Sequence, residues 1–176
     1  MIRDPISLLN YVVNQPEVLP FVAPGCEYLD MEPFFNNPAN VMLGDERGLV
    51  IFAALGDASY EGHYLLTRAL PAAQRLPFLR ACLVAMFTEH NAHAIRGKTP
   101  RDNRAARIVN RALGFLPVGS ALDNTGRPCT YYVLERATWV RSLDFSPAQR
   151  PLRKAVRSRP RATKLPRIRP SKATTI

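Results

Sequence analysis

Ile95-Arg-Gly-Lys-Thr-Pro-Arg-Asp-Asn-Arg-Ala-Ala-Arg-Ile-Val-Asn-Arg-Ala-Leu-Gly-Phe115 is the stretch on which the fold of this 176-residue chain turns. It reads as a strand, a capped helix and a glycine stop. Thr99 is placed to cap the helix, Pro100 suits its first position, and Asp102 stands three residues after Thr99 as in a capping box. Ala105, Ile108, Val109, Ala112 and Leu113 recur at i, i+3, i+4, i+7 and i+8, which makes one apolar stripe. Gly114 supplies the left-handed residue that ends the helix, and Phe115 is expected to fold back on the last turn. Arg104, Arg107 and Arg111 fall along another side. Periodicity alone describes a surface helix with a solvated basic face.

Working outward, Pro5 to Asn14 carries Ile6, Leu9, Val12 and Val13, the pattern of a short amphipathic helix. Pro16, Pro20, Pro24 and Gly25 then predict an irregular link. Val41–Leu43 and Leu49–Leu55 read as strands around a Gly44–Gly48 turn. Leu49-Val-Ile-Phe-Ala-Ala-Leu55 is apolar throughout, as in a strand covered on both faces. Tyr60–Thr67 reads as a strand after the Gly56–Ser59 turn. Leu76, Leu79, Leu83, Met86 and Phe87 mark a long helix, with Pro77 expected in its first turn or at a kink. Ala92–Gly97, Phe115–Ala121 and Thr130–Arg136 are further strands, the last two joined through the Asp123–Gly126 turn signal. The alternation gives an α/β domain over residues 1–145: a mixed sheet flanked by helices.

Within this order, Asn103 followed by Ala106, Leu113, Gly114 and Phe115 is similar to the "N-x-x-A … L-G-F" helix of GNAT-superfamily acetyltransferases. The resemblance runs from about Asn40 to Trp139. It looks closest to GNAT-like proteins of tailed bacteriophages, on the "Y-E-G-H" strand at Tyr60–His63, the Met86-Phe87 pair and the helix start at Thr99–Ala106. The resemblance implies a strongly twisted sheet splayed open in the middle. It implies that Asn103 contacts coenzyme A, and that a loop of pattern Arg/Gln-x-x-Gly-x-Gly/Ala holds the pyrophosphate of acetyl-CoA at a helix N-terminus. Gln74 and Arg75 are the expected start of that loop, but Leu76, Pro77 and Phe78 follow where glycines are expected. The family's late-helix tyrosine, four residues before Gly114, is replaced by Asn110.

Glu61 and His63 alternate on one face of the Tyr60–Thr67 strand and are the candidate bases for deprotonating an amine, imidazole having a suitable pKa. They read equally as polar residues of a sheet face. Tyr131 and Tyr132 read as packing residues. No metal site is expected: His90 and His93 have no carboxylate or Cys pair close in sequence. Cys26, Cys82 and Cys129 are odd in number and widely spaced, as for free thiols in a reducing compartment.

The net charge of +10 is segregated. Residues 1–145 hold fourteen Lys/Arg and fourteen acids, and residues 146–176 hold ten Lys/Arg and no acid. The tail is expected to be extended, with Arg150, Arg153, Lys154, Arg157, Arg159, Arg161, Lys164, Arg167, Arg169 and Lys172 as its partner-binding cations. It suits a neighbouring protein in a phage particle, or a nucleic-acid backbone. No apolar run is long enough to cross a bilayer, and no membrane partner is expected. With the loop glycines and the tyrosine missing, the sequence favours a non-catalytic structural or assembly protein of a tailed bacteriophage. Its place would be the virion, or the host cytoplasm during assembly, and no cofactor is expected. The alternative is an acetyl-CoA-dependent N-acetyltransferase of the GNAT superfamily.

Overall fold

The computed structural model describes residues 4–123 and 125–144. The tail cations from Arg150 to Lys172 lie outside them. Helix α1 (Pro5–Val13) starts where the Asp4 carboxylate accepts the Ser7 amide at 2.9 Å, and it buries Leu9, Val12 and Val13. Two short helices follow, α2 (Leu19–Val22) and α3 (Glu32–Phe35). Asn10 of α1 and Asn14, its C-cap, bind the segment between α2 and α3. The Asn14 side chain accepts from the Leu29 amide at 2.8 Å, and Asn10 accepts from the Met31 amide at 2.9 Å.

Strands β1 (Val41–Asp45), β2 (Gly48–Gly56) and β3 (Ser59–Leu66) form an antiparallel meander. Helix α4 (Ala72–Thr88) then crosses to β4 (Ala94–Pro100), which pairs parallel to β3. Helix α5 (Arg104–Ala112), strands β5 (Leu116–Leu122) and β6 (Pro128–Glu135), and helix α6 (Arg136–Asp144) complete the described elements. The sheet order is β1-β2-β3-β4-β6-β5. It is a mixed six-stranded sheet flanked by helices, as the sequence implied.

Period-two alternation divides the core into two layers. Val50, Phe52 and Ile95 point toward α4 and α5, where they meet Leu79, Leu83, Met86, Phe87 and Leu113. Leu49, Ile51 and Leu65 point the other way, onto Leu9, Val12 and Val13. Burial of these side chains supplies the main stabilisation, at about 1.5–3 kcal/mol for each large one.

Three expectations need correction. Thr99 does not cap α5. β4 runs on to Pro100, because Thr99 and Pro100 pair with Thr130 and Cys129 of β6. The cap is Asn103, whose side-chain oxygen accepts the Ala106 amide at 3.0 Å. Asp102 instead binds Arg127, with both carboxylate oxygens 2.9 Å from the same guanidinium nitrogen.

The apolar stripe is also rotated from its expected phase. Ala105, Ile108 and Ala112 are exposed, and the inward residues are Ala106, Val109, Asn110 and Leu113. Asn110 is inward because its amide donates to the buried Thr99 hydroxyl at 2.9 Å. The glycine stop stands as expected, with Gly114 at φ +89°.

Third, Pro77 does not lie in the first turn of its helix. α4 begins five residues earlier, and Pro77 sits on its exposed side, where the carbonyl it leaves unbonded faces solvent.

Candidate active site

β3 and β4 are in register at only three places, Ser59↔Ala94, Tyr60↔Ile95 and Glu61↔Arg96. Beyond Glu61, β3 follows β2 to Leu66, while beyond Arg96, β4 follows β6 to Pro100. The two strands therefore part, and a wedge opens in the middle of the sheet. A glycine stands next after the last pair on each side, Gly62 and Gly97. A Cβ on Gly62 would press to 3.3 Å from Ile95, whereas Gly97 faces open space. The wedge is an open cleft of about 260 Å³. Its walls include His63 and Tyr64 from β3, Arg96, Lys98 and Thr99 from β4, Asn103 and Asn110 from the α5 segment, and Phe21 and Val22 from α2.

Glu61 and His63 share the sheet face that looks toward α1, since their register partners Ala53 and Ile51 alternate with the α4-facing Phe52. His63 Nε2 lies 3.6 Å from Glu61 Oε1, an electrostatic contact longer than a hydrogen bond. Burial lowers the imidazole pKa; the Glu61 carboxylate opposes this and Lys98 adds to it. The net direction is down, so His63 is a neutral, proton-accepting imidazole at neutral pH. Its side chain is 39% exposed, so a solute in the cleft can reach it. Tyr64, on the other face, has its phenol pKa raised by burial and stays protonated.

Residues 67–71 connect β3 to α4. Thr67 Oγ1 donates to the Arg47 carbonyl at 2.7 Å and accepts the Ala69 amide at 3.2 Å. The Arg68 amide donates to Glu17 at 2.9 Å, and that bond is the largest cause holding the Glu17 carboxyl below its ordinary pKa. Pro71 caps α4, and the amides of Ala72 and Ala73 have no hydrogen-bond partner among the described residues. The expected block by Leu76, Pro77 and Phe78 is therefore corrected. All three lie inside α4, beyond the end that an anion would meet. The stretch at the loop is Arg68-Ala-Leu-Pro-Ala-Ala73, which keeps the Arg and the final small residue of the pyrophosphate pattern and has Pro71 in place of its first glycine.

Gln74 and Arg75 sit in the first turn of α4. The Gln74 amide bonds the Pro71 carbonyl at 2.9 Å, and Arg75 Nε donates to the Leu70 carbonyl at 3.2 Å. Asn103 lines the cleft while its oxygen caps α5. The structure thus brings His63 and Asn103 to one cleft, with Glu61 beside His63, while Gln74 and Arg75 lie in the first turn of α4 and are not among the cleft's lining residues.

Sequence reasoning missed Arg96, Lys98, Tyr64 and the Thr99–Asn110 pair. For Arg96 and Lys98 a signal was present: two cations at i and i+2 in an otherwise apolar and small-residue strand share one face. At the cleft's rim, Asp123 accepts from the amide and hydroxyl of Thr125 and from the Arg127 amide. These bonds, the Thr125 hydroxyl first, hold its pKa at about 2. No group of three or more metal-ligating side chains occurs among the described residues.

No family model matches the sequence, and no curated protein matches it. Solved structures do match the fold. A mutant form of the spermidine N-acetyltransferase SpeG from Vibrio cholerae is 16% identical, with a TM-score of 0.56 over 64% of this chain and 74% of that one. The dodecameric structure of spermidine N-acetyltransferase from Vibrio cholerae, in an intermediate state, is 14% identical with the same TM-score and coverage. At these identities the likeness establishes the fold, that of GNAT acetyltransferases. The expectation of a non-catalytic virion protein is corrected accordingly. The two structures named are acetyltransferases, and Leu76, Pro77 and Phe78 lie inside α4, not in the loop before it. Kinship to phage proteins finds no support in these matches.

Proposed function

We propose that this chain is an N-acetyltransferase that transfers the acetyl group of acetyl-CoA to an amine. The observation that carries the proposal is the wedge between β3 and β4, with a neutral imidazole on its wall and unpartnered amides at the start of α4, the helix that follows β3. Acetyl-CoA, when bound, supplies a thioester whose carbonyl carbon an amine attacks with loss of the thiol. The residues present fit it. The Ala72 and Ala73 amides stand at the positive end of a 17-residue helix, where methyl side chains leave room for a phosphate. Asn103 lines the cleft, and only its side-chain oxygen is used in capping α5.

His63 is placed to take the amine proton as the new C–N bond forms, and Glu61 stabilises the imidazolium that results. Asn110 cannot replace the missing acid, since an amide has no proton to give and this one is bound to Thr99. Tyr64 is the phenol on the cleft wall, and its protonated state suits it to donate a hydrogen bond to a departing sulfur.

The test is acetyl-CoA titration by calorimetry of the wild type and Ala73→Asp. An acid in the first turn of a helix favours the helix, so the variant keeps its fold while placing negative charge where the pyrophosphate is expected. Micromolar binding that falls at least tenfold in Ala73→Asp is the expected result. No binding by the folded wild type refutes the proposal.

A further inference from the structure

The cleft is cationic where an acceptor would enter. Arg96 and Lys98 project from β4 on the same face as Glu61 and His63, because Ile95 and Thr99 point to the α4–α5 side. Arg96 is the register partner of Glu61, yet Glu61 turns along its own strand to His63. Neither Arg96 nor Lys98 makes a hydrogen bond or ion pair among the described residues, and both are exposed to the cleft. The third cation lining it, Arg127, is bound to Asp102.

Carboxylates are scarce there. Asp123 is the one acid among the described lining residues, and its oxygens already accept from Thr125, Arg127 and Cys129. Phe21 and Val22 add an apolar wall, with Phe21 62% exposed. A polycationic amine would meet two unpaired like charges among the lining residues; Glu61 does not line the cleft, and its nearest charged-group contact is His63 at 3.6 Å.

We propose that Arg96 and Lys98 select an acceptor whose amine is carried on a molecule with an anionic group, a carboxylate or a phosphate. The anion pairs with Arg96 and Lys98, and the amine is presented to His63. The acceptor's role in acetyl transfer rests on the acetyltransferase reading above; the charge preference of the cleft does not. The selection is the reverse of a polyamine site, so the fold shared with spermidine acetyltransferases does not carry their substrate over.

A matched four-carbon series tests this on the full chain: putrescine, n-butylamine and 4-aminobutyrate. Two readouts are taken, the imidazole NMR signals of His63 during titration and thiol release from acetyl-CoA. The expected order of affinity and of kcat/KM is 4-aminobutyrate, then butylamine, then putrescine, each step about fivefold, as for a partly screened ion pair. Lys98→Glu and, separately, Arg96→Gln should flatten or reverse the order while leaving the KM for acetyl-CoA unchanged. Putrescine binding as well as 4-aminobutyrate overturns the proposal, as does an order unmoved by either variant, or a His63 signal that responds to none of the three. A His63 signal that saturates with 4-aminobutyrate, without thiol release from any amine, supports the anion preference and refutes the acetyltransferase reading.

Discussion

The buried bond between Asn110 and Thr99 ties α5 to the strand that forms one wall of the cleft, and its worth can be measured. Both residues are 4% exposed, and the amide nitrogen lies 2.9 Å from the hydroxyl oxygen. Thr99→Val changes shape little and removes only the acceptor, which strands a buried N–H₂. The cost of an unpaired buried donor is about 1–3 kcal/mol. For residues 1–145, about 2.1 cal/mol/K per residue gives an unfolding entropy of about 0.3 kcal/mol/K. The melting temperature should therefore fall by about 3–10 °C. Asn110→Leu removes the donor at similar volume and should cost about 1–2 kcal/mol. The double variant replaces both polar groups with apolar ones of similar shape, which is close to neutral in general. Its loss should be no more than about 1 kcal/mol, well under the sum of the single losses. Thermal and urea melts of the four proteins close the cycle. A double variant that loses the full sum would show that the two side chains do not depend on each other, and the account of why an asparagine occupies the inward face of α5 would be wrong.

Gly114→Ala should destabilise the domain by about 1–2 kcal/mol through its positive φ alone, because a Cβ there would meet only Leu134, at 3.8 Å; an unchanged melt would contradict a left-handed helix end. With His63 depressed below its ordinary value of 6.5, kcat/KM should be flat at neutral pH, and its acid limb should lie below the ordinary imidazole range. His63→Gln should abolish that limb, and a limb kept by the variant would exclude His63 as the base. The same shift sets a stability trend: the unfolded chain binds the proton more readily, so the domain should lose stability as pH falls from 6.5 toward the folded pKa. Removing residues 147–176 should leave the melting temperature in place, since every described element precedes them, while retention on a cation exchanger at pH 7 is lost with the ten tail cations. A large drop in melting temperature would show that the domain leans on the tail.

Much of the fold was legible because its signals are local. The apolar run at Leu49–Leu55, the turn residues after Gly56 and Asp123, and Gly114 each dictate a backbone state from their own side chains. What was misread depended on partners far away in sequence. Thr99 looks like a cap, and it belongs to a strand only because β6 lies beside it. Ile108 looks like core, yet it is 56% exposed, because Asn110 is drawn inward by a hydroxyl eleven residues earlier. Pro77 looks like a first-turn residue or the site of a kink, and it lies past the first turn of α4, on a side of the helix that faces water. The candidate bases were found from strand alternation. The cleft cations were not, because their significance lies in their making no ion pair among the described residues, which no spacing reports.

The division of the core by the sheet has a consequence for how the cleft works in time. The layer of Leu9, Val12 and Val13 on Leu49, Ile51 and Leu65 is thinner than the layer beneath α4 and α5, and it is fastened by the two α1 asparagines and the Glu17 bond to Arg68. Such a layer is suited to open as a unit while the sheet stays closed. The α1 amides should then exchange with deuterated solvent ahead of those of β2 and α4. Phe21 and Val22 are part of that segment and also form a wall of the cleft. Each opening would therefore widen the entrance, and for a bulky acceptor the frequency of these excursions, not the chemistry at His63, would set the ceiling on turnover.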